Sequence, residues 1–198
     1  EIPSVLEEIK KMDLKIGLIS NVNSRGQVPY NLEQYKIRQY FDPIVLSSEY
    51  GRRKPDPSIF HFAARLADVP TSACIYVGDR ISRDIDGSRR AGFHLSIQIK
   101  HDFNHGEQDT GPEPDVRIER MTELVEIIQH DRNSHTLFKQ PDYRSESCVR
   151  ALLFDAGDIL YFRQDRNRIL NEFLKELSLN EDAAFSEAGR LLKKKAFK

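Results

Sequence analysis

The stretch that decides the fold is Tyr76-Val77-Gly78-Asp79-Arg80-Ile81-Ser82-Arg83-Asp84-Ile85-Asp86-Gly87-Ser88-Arg89-Arg90-Ala91-Gly92. It is entered through the apolar run Cys74-Ile75-Tyr76-Val77, long enough for one buried strand. Gly78 ends that strand and permits a sharp backbone turn. Asp79 then stands at the strand's carboxyl end, where open α/β sheets bind their ligands. Asp84 follows in the loop or first helical turn, and a helix through Ser88 to Arg90 ends at Gly92. Two carboxylates held this way make a hard-oxygen site suited to Mg2+. Taken alone, the same pair equally suits a turn and a helix cap.

Working outward, the flanking segments repeat the pattern. Pro3 and Ser4 open a helix with Val5, Leu6, Ile9 and Met12 on one face, followed by a buried strand over 15–20 that ends at Ser20 and Asn21. Residues 22–29 read as a loop broken by Gly26 and Pro29, and 30–40 as a helix with Leu32, Tyr35, Ile37 and Tyr40 apolar. A strand over 43–47 leads into a turn carrying Lys54. Asp56 and Pro57 then start a helix running to about Ala67, with Ile59, Phe60, Ala63, Ala64 and Leu66 as core candidates. Beyond Gly92 come strands over 95–99 and 116–118, a polar loop over 101–114, and a helix marked by Met121, Leu124, Val125 and Ile128. Residues 129–148 break the pattern and read as a linker in which His130 and His135 are solvated. The apolar run 149–154 is another buried strand, ending in Asp155. Two amphipathic helices follow, carrying Ile169 to Leu177 and Ala184 to Leu192. Alternating strands and helices predict an α/β, doubly wound parallel sheet.

A length of 198 residues allows one or two domains, and 39% apolar with 31% charged residues is ordinary for a globular chain. The net charge of −1 gives no electrostatic case for nucleic acid or an anionic membrane. No apolar run approaches the ~18 residues needed to span a bilayer. Cys74 and Cys148 lack metal spacing and read as reduced thiols of a cytoplasmic protein.

Ser20 with Asn21, Lys54, Asp79 with Asp84, and Asp155 all lie at or near carboxyl ends of strands, which a parallel sheet brings to one edge. A carboxylate nucleophile, a hydroxyl, a lysine and a metal-binding acid form a coherent set for phosphoryl transfer. Each residue alone has an ordinary reading: a turn former, a surface charge, a helix cap.

These residues resemble the haloacid dehalogenase superfamily of hydrolases, in its branch with a small helical cap. Phe154-Asp155 within 149–160 is similar to the family's first motif, Leu18-Ile19-Ser20-Asn21 to its second, Gly51 to Pro57 with Ile59-Phe60 to its third, and 76–92 to its fourth. The resemblance implies a Rossmann-like core over 1–128 and, over 149–198, the nucleophile strand with part of a helical cap. It implies Asp155 as nucleophile, Ser20 and Asn21 as substrate-binding, and Lys54 both binding substrate and stabilising charge. It also implies Mg2+ held by Asp155, the backbone carbonyl of Gly157, Asp79 and Asp84. The implied substrate is a small phosphorylated metabolite.

Two departures bear on activity. The family's phosphatases carry a second Asp two residues after the nucleophile to protonate the leaving oxygen; here that residue is Gly157, and the Thr often found two further on is Ile159. Asp158 is adjacent, but one residue's shift along an extended segment turns a side chain the other way. A general acid typically contributes about 10²–10⁴-fold in rate. A catalytically idle relative that binds a phosphorylated ligand or a partner protein is therefore the alternative, and dehalogenation of a small haloacid a further one. The motif order also differs, since the first motif comes last. A segment across two tandem domains and a circular permutation both account for it. Glu1 at the start and the Lys193-to-Lys198 end favour a fragment.

Overall fold

The computed structural model describes residues 1–100, 109–137, 149–157 and 159–160. Six strands form one parallel sheet: β1 (Lys15–Ser20), β2 (Ile44–Leu46), β3 (Cys74–Gly78), β4 (Leu95–Ile99), β5 (Val116–Ile118) and β6 (Ala151–Phe154). Their spatial order is β2-β1-β6-β3-β4-β5. The last strand in the chain is therefore a central strand of the sheet, between β1 and β3, as its apolar composition requires. Gly17 pairs with Leu153 and Tyr76 with the same residue from the other side. The ladder begins before β6 proper, because the Arg150 N–H donates to the Ala73 carbonyl and the Lys15 N–H to that of Arg150.

Side chains alternate across the sheet and build one core on each face. Leu152, Phe154, Ile75, Val77, Ile16 and Leu18 point to the face covered by α1 (Ile2–Lys11), α2 (Gln27–Gln34) and α6 (Glu123–Leu137). Ala151, Leu153, Cys74, Tyr76 and Ile19 point to the face covered by α4 (Pro57–Leu66). The short helices α3 (Ser47–Tyr50) and α5 (Asp86–Arg90) complete the order. The α4 start is as expected, since Asp56 accepts from the Ser58 N–H and Pro57 is the first helical residue. Its buried stripe is Ile59, Phe60, Ala63, Ala64 and Ala67. Leu66 falls on the opposite side and is 52% exposed, against the expectation that it is core.

Other boundaries also differ from the sequence reading. The segment 30–40 is not one helix: α2 starts at Gln27 and ends at Gln34 with Tyr35 as its C-cap, Lys36 is left-handed (φ 55), and a separate 3-10 turn covers Arg38–Tyr40. Pro29 lies in the first turn of α2, where a helix needs no N–H, so it does not act as a breaker. Ser47 begins α3 instead of ending β2. Residues 129–137 continue α6, so no linker begins at 129, and His130 is an exposed helical residue. The Arg132 guanidinium donates to the Met12 carbonyl and Asp131 meets His94, tying this extension to the core. Cys148, Asp158 and the two helices read after residue 161, with the cap they imply, lie outside the described residues. Among the described residues, no helix is long and apolar enough to cross a membrane.

Candidate active site

Three strands deliver their carboxyl ends to one edge. β1 brings Ser20, which is buried, and Asn21; β6 brings Asp155; β3 brings Gly78 and Asp79. Lys54 arrives on the turn before α4. That turn is held by Asn21, whose side-chain amide donates to the Lys54 carbonyl and accepts from the Lys54 N–H, both at 2.9 Å. The turn after β1 is held in its own right by Ser47, whose hydroxyl accepts from the Val22 N–H and donates to the Val22 carbonyl.

After Gly78 the chain makes one π-helical turn, Ile81–Ile85, before α5. This turn folds Asp84 back beneath Gly78. A Cβ at residue 78 would lie 2.3 Å from the Asp84 Cβ, so only glycine allows the close approach. Asp109 fixes the start of the turn by accepting from the Ile81 and Ser82 N–H groups and the Ser82 hydroxyl. Ser88 fixes its end by donating to the Asp84 carbonyl at 2.7 Å.

The result is a buried cluster. The Lys54 Nζ lies 2.6 Å from Asp84 Oδ1, 2.8 Å from Asp155 Oδ1 and 2.8 Å from the Tyr76 hydroxyl. The Tyr76 hydroxyl donates to Asp84 Oδ1 at 3.2 Å, and Asp84 Oδ2 accepts from the Arg80 N–H at 3.0 Å. Burial works to lower the Lys54 pKa, but Asp155 and Asp84 outweigh it and hold the ammonium above its ordinary range. Burial raises the Asp155 carboxyl, against the downward pull of Lys54.

Asp79 differs from the other two acids. Its Oδ1 is buried without a hydrogen-bond partner, and Arg83 stands 4.0 Å away. Burial first, then repulsion from Asp84 and Asp155, pushes its pKa from 3.8 up to about 7. One oxygen each from Asp79, Asp84 and Asp155 lie within 4.8 Å of one another. Three carboxylates gather beside Lys54 and Arg83, and one Asp79 oxygen is buried without a hydrogen-bond partner. This donor set fits a hard divalent cation. Gly157 is half-buried just beyond Asp155, and Ile159 is a core residue.

Ser20, Asn21, Lys54, Asp79, Asp84, Asp155 and Gly157 thus all lie at or near this edge. The reading missed Tyr76, which looked like one more apolar residue of a buried strand. A phenol there needs a hydrogen-bond partner, and that requirement was the available signal. It also missed Asp109, which lay in a stretch read only as polar loop.

The family model of the haloacid dehalogenase-like hydrolases matches residues 1–97 of the chain. It is 32% identical over 133 residues to glyceraldehyde 3-phosphate phosphatase of Methanopyrus kandleri, covering 65% of this chain and 54% of that protein. It is 29% identical over 143 residues to phosphoglycolate phosphatase of Pseudomonas savastanoi pv. phaseolicola, covering 67% and 52%. The chain therefore spans about half the length of the curated relatives it matches. Among solved structures, 2-haloacid dehalogenase from Pseudomonas syringae pv. tomato superposes with a TM-score of 0.52 at 29% identity, over 64% of this chain and 51% of that one. A Clostridium difficile β-phosphoglucomutase shares the fold, with a TM-score of 0.53 at 24% identity over 69% and 56%.

Proposed function

We propose that this chain carries the site of a Mg2+-dependent hydrolase of small phosphorylated metabolites that works through an aspartyl-phosphate intermediate. The observation that carries the reading is the Lys54–Asp155 contact at 2.8 Å beside the three clustered carboxylates. The relatives named phosphatases support the same class. In this reading Asp155 attacks phosphorus, and the bond from phosphorus to the ester oxygen breaks. Lys54 stabilises charge on the nucleophile and on the transferred group. Ser20 hydrogen-bonds a phosphoryl oxygen. Asn21 serves the substrate side by holding Lys54 in place. Water then cleaves the acyl phosphate and returns Asp155 and inorganic phosphate.

Asp79 and Asp155, the Gly157 carbonyl and the adjacent Asp84 would hold Mg2+, which when bound offsets phosphate charge. No acid at 157 protonates the leaving oxygen, so aryl phosphates are the better substrates and alkyl phosphates the poorer ones. Gly157 is also the specific observation that favours a second reading, a catalytically idle relative that binds a phosphorylated ligand. Dehalogenation of a small haloacid needs no Mg2+, and the orphaned Asp79 oxygen counts against it.

The test measures hydrolysis of p-nitrophenyl phosphate with Mg2+ and with chelator, alongside calorimetric Mg2+ titration. Turnover is expected with Mg2+ alone and is abolished in Asp155→Asn, and Mg2+ affinity falls in Asp79→Asn. Equal Mg2+ affinity in the two proteins removes the metal assignment. Metal binding without turnover leaves the idle relative.

A further inference from the structure

Tyr76 sits in β3, a strand buried along its whole length, and its side chain is fully buried. Both partners of its hydroxyl belong to the site, Lys54 and Asp84. The donor inventory permits one arrangement. An ammonium has three N–H donors and no acceptor, so Lys54 must donate to the phenol oxygen, and the phenol's own hydrogen goes to Asp84. The three Lys54 donors are then fully committed, one each to Asp84, Asp155 and Tyr76.

The phenol itself is fixed by packing. Phe60 and Phe93 stand edge-on to the Tyr76 ring at 4.9 and 6.1 Å and to each other at 5.8 Å. Gly87 leaves room for that cluster, because a Cβ there would lie 2.3 Å from the Phe60 ring.

We propose that Tyr76 is a positioning residue for Lys54: by occupying the third N–H it stops rotation of the ammonium and aims one N–H at Asp155. Lysine is a point charge on a flexible four-carbon stem, so its aim comes from its partners. The proposal rests on the proposed function, in which that N–H meets charge developing on Asp155 and the transferred group. Tyr76 touches no reacting atom and acts only through Lys54.

Tyr76→Phe keeps the ring packing and removes only the hydroxyl. We expect kcat on p-nitrophenyl phosphate to fall about 10-fold, the scale of one hydrogen bond to a charged group. KM should stay within about 2-fold, since the hydroxyl does not reach the substrate. In a Lys54→Met background the same change should cost nothing further, because the residue it acts through is gone. An equal loss in both backgrounds indicates a merely structural effect and overturns the proposal.

An independent readout needs no turnover. The 15N ammonium resonance of Lys54, assigned by its loss in Lys54→Met, should be slowly exchanging in wild type and broadened away in Tyr76→Phe. Unchanged kcat with an unchanged ammonium signal overturns the role of Tyr76 while the hydrolase reading stands. Absence of turnover in wild type removes the hydrolase reading, and the ammonium signal then decides the Tyr76–Lys54 coupling by itself.

Discussion

Asp79→Asn should make the metal-free protein more stable, increasingly so as pH rises from about 4 to 7. The Asp79 carboxyl has 3.8 as its ordinary pKa and is pushed up to about 7, by burial and then by Asp84 and Asp155. A raised carboxyl pKa means that folding is opposed once the unfolded chain ionises. Below about pH 4 the group is neutral in both states and nothing is lost. Between about 4 and 7 the penalty grows by about 1.4 kcal/mol per pH unit, and above 7 it is constant. The full difference is on the order of 4 kcal/mol. Relaxation of the partly open site reduces this to about 2–4 kcal/mol.

An asparagine of the same shape never carries the charge and escapes the penalty. Urea unfolding in chelator at pH 4.5 and pH 8 measures it: the variant should gain little at pH 4.5 and about 2–4 kcal/mol at pH 8. Added Mg2+ should narrow the gap, since ligand at 100 times its dissociation constant stabilises the wild type by about 2.7 kcal/mol. Equal stability of the two proteins at pH 8 in chelator would falsify the view that Asp79 is held charged at a cost for a cation.

Three further outcomes are expected. Gly157→Asp should raise turnover of alkyl phosphates more than of aryl phosphates, because it returns an acid where the poorer leaving group needs one; equal gains on both would count against a leaving-group role. Gly78→Ala should destabilise by about 1–3 kcal/mol and weaken Mg2+ binding, because the new methyl displaces Asp84, 2.3 Å away; denaturation and calorimetry check the two effects, and a silent change would contradict the close approach. Asn21→Ala should lower kcat and cost about 1–3 kcal/mol, since it removes both hydrogen bonds to the Lys54 backbone and leaves that turn unheld. Asn21→Asp, which keeps the acceptor, should lose less in both measurements.

Much of this architecture was already present in short stretches of sequence. An apolar run followed by a glycine or a polar residue marks a strand and its carboxyl end, as at 15–21, 74–79 and 149–155. These patterns depend on neighbours within a few positions, so they survive reading one residue at a time. They sufficed to predict the doubly wound sheet and to nominate Ser20, Asn21, Lys54, Asp79, Asp84 and Asp155, whereas Gly157 came only from the family resemblance. Boundaries were weaker where tertiary contacts overrode local signals. Lys36 ended α2 in a left-handed conformation, and α6 ran on past 129 because Asp131 and Arg132 find partners on the core.

The tertiary structure alone decided how the nominated groups share the work. β6 pairs with strands distant in sequence on both sides, and its central place comes from filling the gap between β1 and β3. That pairing carries Asp155 to Lys54. The π-helical turn makes Asp84 an internal partner of Lys54, Tyr76 and Arg80, while Asp79 keeps the orphaned oxygen. In sequence the two acids are interchangeable carboxylates, because composition is the same whichever way a side chain turns. Only the close packing beneath Gly78 distinguishes them, and it likewise turns Tyr76 from an ordinary strand residue into the third partner of the buried lysine.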